Sequence, residues 1–566
     1  MGPDQRPCKN DMWAPLHSST DSARWDPLTR RSRGQRGSLS RNGSAYLSAS
    51  ETPPPPRVPD ATSELNLPSP RVAHAGIASS PPGMGSTGPA GEVAPREFPA
   101  GFVFGVATSA YQIEGARREG GKGDSIWDVF AENKGRILDG SNGEVAVDHY
   151  HRYKEDIELM ASLGFGAYRF SISWARIFPD GLGKNVNEQG VAFYNDLINF
   201  MIEKGIEPYA TLYHWDLPNN IQQTVGGWLS VKIVEYFALY AEACFANFGD
   251  RVKHWITINE PLQTAVNGYG IGNFAPGGCE GETGRCYLAA HNQILAHAAA
   301  VDVYRRKFKA VQGGEVGLVI DCEWAEPFSV KTEDQIAAER RLDFQLGWYL
   351  DPIYFGDYPE SMRQRLGDDL PTFSEKDKAF IRNKIDFVGI NHYTSRFIAH
   401  HQNPEDIYFY RVQQVERIEK WNTGERIGER AASEWLFIVP WGLRKLLNYV
   451  AKRYGNPVIY VTENGMDEED DQSATLDQVL NDASRVGYFK GYLASVAQAI
   501  KDGADVRGYF AWSFLDNFEW AMGYTKRFGI VYVDYKNGLS RHPKASAQWF
   551  SHFLRGEEAG NKADVN

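Results

Sequence analysis

Two glutamates each stand at the end of a short apolar segment, in positions where they could do chemistry. Glu463 ends the segment Val458–Thr462 and is followed by an Asn-Gly turn, and Glu260 ends His254–Asn259 and is followed by Pro261. Cleavage of a glycosidic bond requires such a carboxyl pair, because one group protonates the leaving oxygen while the other attacks carbon or activates water. Taken singly, each glutamate also fits the start of a solvated loop.

The elements that must position the two glutamates form a repeating pattern. Eight segments have the apolar, β-branched composition of strands buried on both faces. They are Phe102–Ser109, Ala167–Ser173, Pro208–Trp215, Trp255–Asn259, Val316–Cys322, Phe387–Asn391, Val458–Glu463 and Gly508–Ser513. Helical periodicity separates them, most clearly in His151–Leu163, Ala192–Lys204, Ser230–Phe248, Tyr287–Phe308, Trp441–Tyr454 and Ser484–Asp502. Eight βα units predict an α/β fold, a single (β/α)8 TIM barrel.

Polar and aromatic side chains follow almost every predicted strand. They include Gln112, Arg169, His214, Asn259, Glu260, Asn391, Tyr393, Glu463 and Trp512. The carboxyl ends of all eight strands of a TIM barrel meet at one rim, and enzymes with this fold carry their active sites there. A lone histidine or tryptophan is more often structural, so this shared position is what indicates a site.

Composition narrows the class of protein. The chain has 566 residues, a formal charge of -12 and 13% aromatic residues. The negative charge disfavours nucleic acid as a partner, and the longest apolar runs are too short to span a membrane. Metal-binding and phosphate-loop motifs are absent from the sequence, which favours a reaction without metal or cofactor.

The first 97 residues differ from the rest. They hold 15 of the 29 prolines, including Pro53–Pro56, and show no apolar periodicity. Such a segment cannot bury enough surface to offset its ordering entropy. We therefore expect a disordered extension over residues 1–97, a catalytic domain over 98–555 and a short tail over 556–566. An alternative is that translation begins at Met84, directly before the folded part.

The five cysteines are too few and too scattered for a disulfide framework. Cys279 and Cys286 flank a short glycine-rich loop and could pair in an oxidising compartment. Two free thiols in a reducing cytosol are an equally good expectation.

Three longer motifs stand out, Thr257–Pro261, Val461–Gly465 and the opening segment Phe102–Gly115. Together they resemble glycoside hydrolase family 1, and the sequence is most similar to plant β-glucosidases of that family without a secretory signal. The resemblance covers roughly Phe98–Leu554. It implies a retaining hydrolase of β-glucosides or short oligosaccharides, with Glu463 as nucleophile and Glu260 as acid/base.

The resemblance also implies supporting roles. Arg169 would keep Glu463 ionised, and Tyr393 would donate a hydrogen bond to it. The implied substrate-binding residues are Gln112, His214, Asn259, Asn391, Trp435, Trp512, Glu519, Trp520 and Phe528. Among them Trp512 would form the floor under the sugar, and Trp435 would stack on the aglycone.

Further positions narrow the implied reaction. Glu260 stands where thioglucosidases of the family carry Gln, which implies an O-glycosidase. Glu519 as an anion would repel the phosphate of 6-phospho-sugars and accept hydrogen bonds from free hydroxyls. The chain departs from the family pattern at Ala175 and His392, and His392 could alter substrate preference or face the core.

Several alternatives stay open. A transglucosidase would use the same covalent intermediate, and a non-catalytic sugar-binding barrel would have lost one glutamate. Cytoplasm is the expected location, because the N-terminal segment lacks an apolar core and the single Asn-x-Ser/Thr site is Asn42. A plastid is the alternative, since Arg30, Arg31, Arg33 and Arg36 form a basic cluster. We expect a monomer or a homodimer.

Overall fold

The computed structural model describes residues 93–278 and 284–557. The predicted C-terminal tail beyond residue 557 and nearly all of the predicted N-terminal extension lie outside these residues. Cys279 also lies outside them, so the structure does not place the predicted Cys279–Cys286 pair.

Eight parallel strands form a closed barrel in which neighbours in space are neighbours in sequence, with β8 pairing with β1. The strands are β1 (Val103–Ala107), β2 (Ala167–Ser171), β3 (Glu207–Tyr213), β4 (His254–Asn259), β5 (Glu315–Asp321), β6 (Phe387–Asn391), β7 (Ile459–Asn464) and β8 (Val506–Trp512). All eight predicted strands are present, so the (β/α)8 prediction is confirmed.

One long helix follows each strand, and together the helices form the outer layer. They are α1 (His149–Leu163), α2 (Glu188–Glu203), α3 (Ile233–Phe248), α4 (Arg285–Lys307), α5 (Thr332–Leu342), α6 (Pro440–Tyr454), α7 (Ala483–Lys501) and α8 (Ala545–Arg555). Each of the six helices predicted from periodicity is present with ends shifted by a few residues. Within the described residues, no helix is both long and apolar enough to cross a lipid bilayer.

The connecting segments carry shorter elements. Among them are the helices Ile126–Glu132, Asn219–Val225, Pro261–Gln263, Trp348–Phe355, Glu360–Leu366, Glu375–Ile381 and Leu476–Leu480, and the π-helical turns Thr264–Ile271 and Asp343–Gly347. Four small sheets of the described residues lie outside the barrel. One has three strands, Trp324–Pro327, Ser395–His400 and Val415–Ile418. The other three are two-stranded: Glu429–Arg430 with Phe437–Ile438, Glu468–Glu469 with Lys526–Arg527, and Val531–Asp534 with Ser540–Pro543.

Aromatic rings fill the lower part of the barrel. The Tyr209 ring stacks on His254 with centroids 4.2 Å apart, and Phe510 contacts Tyr209 at 4.8 Å. A Cβ at Gly105 of β1 would lie 2.5 Å from the Phe510 ring, so only glycine leaves room for this packing. Because these rings fill the barrel toward the amino-terminal ends of its strands, reactants can reach the polar groups at the carboxyl ends only from the rim on that side.

Candidate active site

Glu463 lies near the end of β7 and is held by two donors. Arg169 of β2 donates from Nη1 to Oε1 at 2.6 Å, and the Tyr393 hydroxyl donates to Oε2 at 2.6 Å. Burial raises the pKa of Glu463, while the charge of Arg169 and the hydrogen bond from Tyr393 lower it. Burial is the largest cause, so the pKa of Glu463 is raised overall, and the two donors offset part of this rise by favouring the carboxylate form.

Glu260 follows β4 directly and begins the helical turn at Pro261. The Asn391 amide donates from Nδ2 to Oε1 of Glu260 at 2.6 Å, and its own Oδ1 accepts from the Thr462 hydroxyl at 2.7 Å. Burial raises the pKa of Glu260 well above its usual range, and the charge of Glu463 raises it further. A hydrogen bond from the same Asn391 also lowers the pKa of Glu463, so one amide serves both carboxyls.

Asn259 connects the two sides of the site. Its Oδ1 accepts from Arg169 Nη2 at 2.6 Å and from Asn391 Nδ2 at 3.1 Å. Its Nδ2 therefore faces His214, and it donates to Nε2 of that ring at 3.1 Å. Burial, followed by the charge of Arg169, lowers the pKa of His214 well below its usual range. The imidazole is neutral with its proton on Nδ1, which leaves it available as a hydrogen-bonding group.

Gln112 and Glu519 meet at the opposite end of the site. The amide Nε2 of Gln112 lies 3.2 Å from Oε2 of Glu519, and Ser109 orients the amide by donating to its Oε1 at 2.6 Å. Burial and the charges of Asp467 and Glu463 raise the pKa of Glu519 to about 8. These causes favour the protonated form of Glu519, whereas the sequence suggested an anion.

Aromatic side chains form one wall. The His214 ring stacks on Trp512 at 5.7 Å and on Trp520 at 5.9 Å, and both tryptophans are buried. Phe528 packs edge-on to Tyr393 at 6.1 Å. Trp435 also lies edge-on to Tyr393, at 5.9 Å, but is 46% exposed. The exposed ring next to the half-buried Tyr393 is where a group leaving the pocket would emerge.

The structure thus places the thirteen predicted site residues in one connected region at the carboxyl ends of the strands. His392 differs, because it is buried, and its Nδ1 bonds to the Cys322 carbonyl at 2.8 Å. Of the two expectations for His392, facing the core is the one that the geometry matches.

Sequence reasoning missed Asp321 at the end of β5. Its Oδ2 accepts from the Gln263 amide at 2.7 Å, and its charge raises the pKa of Glu260. The signal was available, because Asp321 falls at the end of a predicted strand as Glu463 does. The role of Thr462 in turning the Asn391 amide was also missed, and only the fold reveals it.

Comparisons with known proteins agree with this geometry. A sequence model described as "Glycosyl hydrolase family 1" matches residues 94–559. Beta-glucosidase 4 of Oryza sativa subsp. japonica is 92% identical over 483 residues, which cover 85% of this chain and 100% of that protein. Beta-glucosidase 42 of Arabidopsis thaliana is 66% identical over 463 residues, or 81% of this chain and 94% of the relative.

Solved structures give the same result. A mutant of rice Os3BGlu6 β-glucosidase in a covalent complex with Glc from GA4GE has a TM-score of 0.80 and 49% identity, covering 82% of this chain and 99% of that one. A β-glucosidase from the fungus Humicola insolens in complex with glucose has a TM-score of 0.79 and 43% identity, with 81% and 98% coverage.

Proposed function

The chain belongs to glycosyl hydrolase family 1 and is a β-glucosidase, and we propose that it removes terminal β-D-glucosyl residues by double displacement between Glu463 and Glu260. One observation carries the assignment of roles. Glu463 is held by a guanidinium and a phenol that favour its charge, while Glu260 lies in surroundings that favour its proton. A carboxylate nucleophile and a protonated acid are the two states that the first step requires.

In the first step an oxygen of Glu463 attacks the anomeric carbon. The bond from that carbon to the aglycone oxygen breaks, and Glu260 gives its proton to the leaving oxygen. Formation of the glucosyl ester removes the charge of Glu463, which is the second largest cause of the raised pKa of Glu260. The pKa of Glu260 therefore falls once the intermediate has formed.

In the second step the ionised Glu260 takes a proton from water. The water oxygen attacks the anomeric carbon, the ester bond breaks, and Glu463 leaves as a carboxylate. Arg169 and Tyr393 again stabilise the returning charge. Both glutamates end in their starting protonation states, so the cycle needs no metal or cofactor.

The remaining residues fit the recognition of a glucosyl unit. Asn259 would bind the 2-hydroxyl, and Gln112, His214, Glu519 and Trp520 would bind the other hydroxyls above the ring of Trp512. A neutral His214 and a protonated Glu519 each offer both a donor and an acceptor, as sugar hydroxyls do. Phe528 and Trp435 would complete the apolar walls, and Trp435 would stack on the aglycone.

The transglucosidase alternative has less support, because the named relatives are glucosidases. The sugar-binding alternative has less support still, because both carboxyls and their donors are in place. Water as the acceptor is therefore the function that we propose, with a small β-glucoside or short oligosaccharide as substrate.

A trapping experiment tests the assignment. The protein is incubated with a 2-fluoro β-glucoside that carries a good leaving group, and its intact mass and peptides are then measured. We expect a stable fluoroglucosyl adduct on Glu463, because fluorine slows both steps while the leaving group speeds the first. An adduct elsewhere, or a folded protein that neither forms one nor cleaves aryl β-glucosides, would contradict the proposal.

We also propose a cytoplasmic location and a monomer or homodimer. The folded part of the sequence carries no Asn-x-Ser/Thr site, which fits a compartment without N-glycosylation. Imaging of the full chain with a C-terminal fluorescent tag distinguishes cytoplasm from plastid. Light scattering after size-exclusion chromatography gives the number of subunits.

A further inference from the structure

A third carboxyl, Asp321, ends the strand that lies between the strands of Glu260 and Asn391. The β5 backbone contacts both neighbours at this level, because Glu260 N donates to Val319 O at 3.0 Å and Asp321 pairs in register with Asn391. Asp321 is therefore held beside the acid/base Glu260 and beside Asn391, which donates a hydrogen bond to Glu260. The proposed mechanism does not use it.

The side chain of Asp321 is oriented by the segment that follows the acid/base. Gln263, three residues after Glu260, donates to Oδ2 at 2.7 Å, and its own Oε1 accepts from the Asn267 amide. Oδ1 is buried and contacts no hydrogen-bond donor among the described residues. A buried carboxylate with so few donors keeps most of its electric field, which acts on nearby charges.

The next carboxyl along the chain shows the contrast. Glu323 accepts hydrogen bonds from Arg341 at 2.9 Å and from Arg417 at 2.8 Å. Those two guanidinium groups neutralise Glu323, whereas Asp321 forms no ion pair within 4.0 Å among the residues that the structure describes. The chain therefore leaves the carboxyl nearer to Glu260 without a cation and pairs the more distant one.

A cation site is not a better explanation of Asp321. In the described part of the chain, no three carboxylate, histidine or cysteine side chains are arranged to hold a metal ion. Asp321 therefore belongs to no such cluster within that part.

We propose that Asp321 is a positioning residue of the acid/base, whose carboxylate, fixed by Gln263, keeps the proton on Glu260 until the aglycone leaves. The inference rests on the proposed function, because it assigns Asp321 a task within that reaction. The expected sign follows from like charges. An anionic Asp321 favours the protonated form of Glu260, and its removal releases that proton at lower pH.

Other charges around the two groups are consistent with this sign. Burial raises the pKa of Asp321 to about 6, so the group is ionised in the higher pH range where Glu260 loses its proton. The charge of Glu463 acts on both groups in the same direction, and Arg341 and Arg169 oppose it at Asp321 and Glu260 respectively. The other groups electrostatically linked to them are the neutral Tyr349, Tyr393 and Cys322.

The test is the pH profile of kcat/KM for an aryl β-glucoside with the variant Asp321→Asn. The basic limb reports the protonated acid/base in the free enzyme. We expect this limb to move down by about 1 pH unit, with about a tenfold loss above the wild-type limb and little change below it. Asp321→Glu keeps the charge and should leave the limb near its wild-type position.

A matched control removes the same charge from the other end of the strand. Glu315 begins β5, about 20 Å away by strand geometry, and Glu315→Gln should leave the whole profile unchanged. If Asp321→Asn lowers kcat/KM equally at every pH, or if its basic limb stays in place, the inference is wrong. A wild-type protein without β-glucosidase activity would instead contradict the proposed function.

A second variant covers failure of Asp321→Asn to fold. Gln263→Leu removes the donor that lowers the pKa of Asp321. Asp321, with a pKa of about 6, stays ionised over the pH range of the basic limb. Loss of the donor leaves its charge less compensated, so the basic limb should move up, opposite to the shift in Asp321→Asn. An unmoved limb in a folded Gln263→Leu protein would also overturn the proposal.

Discussion

Two buried glutamates of this protein each accept hydrogen bonds from one arginine and one tyrosine, but their surroundings differ. Glu463 accepts from Arg169 on one oxygen and from Tyr393 on the other, both at 2.6 Å. Glu114, in the loop after β1, accepts from the Arg176 guanidinium at 3.0 Å and from the Tyr194 hydroxyl at 2.6 Å. The local motif of a glutamate between an arginine and a tyrosine is therefore not what defines an active site.

The difference lies in what surrounds each motif. Around Glu463 lie three further carboxyls, Glu260, Asp321 and Glu519, near a single guanidinium, and burial and like charges raise the pKa of each. Around Glu114 the Arg176 guanidinium is enclosed by aromatic rings, with Tyr150 at 4.4 Å and Phe193 at 5.5 Å. Crowded carboxyls with raised pKa values keep protons that can move during a reaction, whereas the ion pair of Glu114 with Arg176 among aromatic rings fixes segments of the chain together.

The largest expected effects, on activity and on stability, come from replacing Glu463 and Glu114 in turn by glutamine. Glu463→Gln should lower kcat by about 10⁴-fold or more while the protein stays folded, because it removes the nucleophile from a site of crowded carboxyls. Glu114→Gln should keep most of the activity at low temperature but lose about 3–5 kcal/mol of unfolding free energy. Among the described residues, Glu114 is the sole carboxylate within 4.0 Å of Arg176, so that charge would be left unpaired.

Turnover of an aryl β-glucoside and urea unfolding, measured on both variants, check this prediction. The comparison fails if Glu114→Gln loses activity in proportion to Glu463→Gln while folded.

A smaller effect should follow from removing each phenol. Tyr393→Phe removes a hydrogen bond that lowers the pKa of Glu463, so that pKa rises and the acidic limb of kcat/KM moves to higher pH. Since Glu463 must be ionised to attack, activity is lost first on the acidic side. We expect a shift of about 1 pH unit and about a tenfold loss of kcat/KM below the limb.

Tyr194→Phe is the matched variant in the structural motif. It leaves Glu114 with one donor fewer and the Ser173 backbone N–H, which donates to the Tyr194 hydroxyl at 2.8 Å, without its acceptor. The expected cost is about 1–3 kcal/mol of unfolding free energy with an unmoved acidic limb. Equal shifts of the limb in both variants would show that the two motifs are electrostatically linked.

The sequence was enough to predict the barrel, because most residues of its strands are apolar even though Arg169 interrupts β2 and Arg507 interrupts β8. It also located both glutamates, since each stands at the end of such a segment. The small sheets of the connecting segments were not predicted. Pairs such as Glu468–Glu469 with Lys526–Arg527 are two residues long and form only where distant loops meet.

The protonation of the site residues was harder to predict from the sequence than their identity. The raised pKa of Glu519 depends on burial and on Asp467, which is 52 positions away in the sequence and has no motif of its own. Asp321 was overlooked although its strand was predicted, because a single aspartate after an apolar run resembles an ordinary strand end. Only the barrel's register places it beside Asn391 and makes its charge relevant to Glu260.

The smallest expected effect tests the aromatic enclosure that distinguishes the two motifs. Tyr150→Leu removes the ring nearest to the Arg176 guanidinium but keeps an apolar side chain at this position. A cation over an aromatic face contributes about 0.5–2 kcal/mol, so the unfolding free energy should fall by about that amount. The kinetic parameters and both limbs of the pH profile should match the wild type, because no carboxyl of the active site contacts Tyr150. If the variant instead shifts a limb, the ion pair after β1 influences the catalytic charges through the barrel wall, and the two regions are not independent.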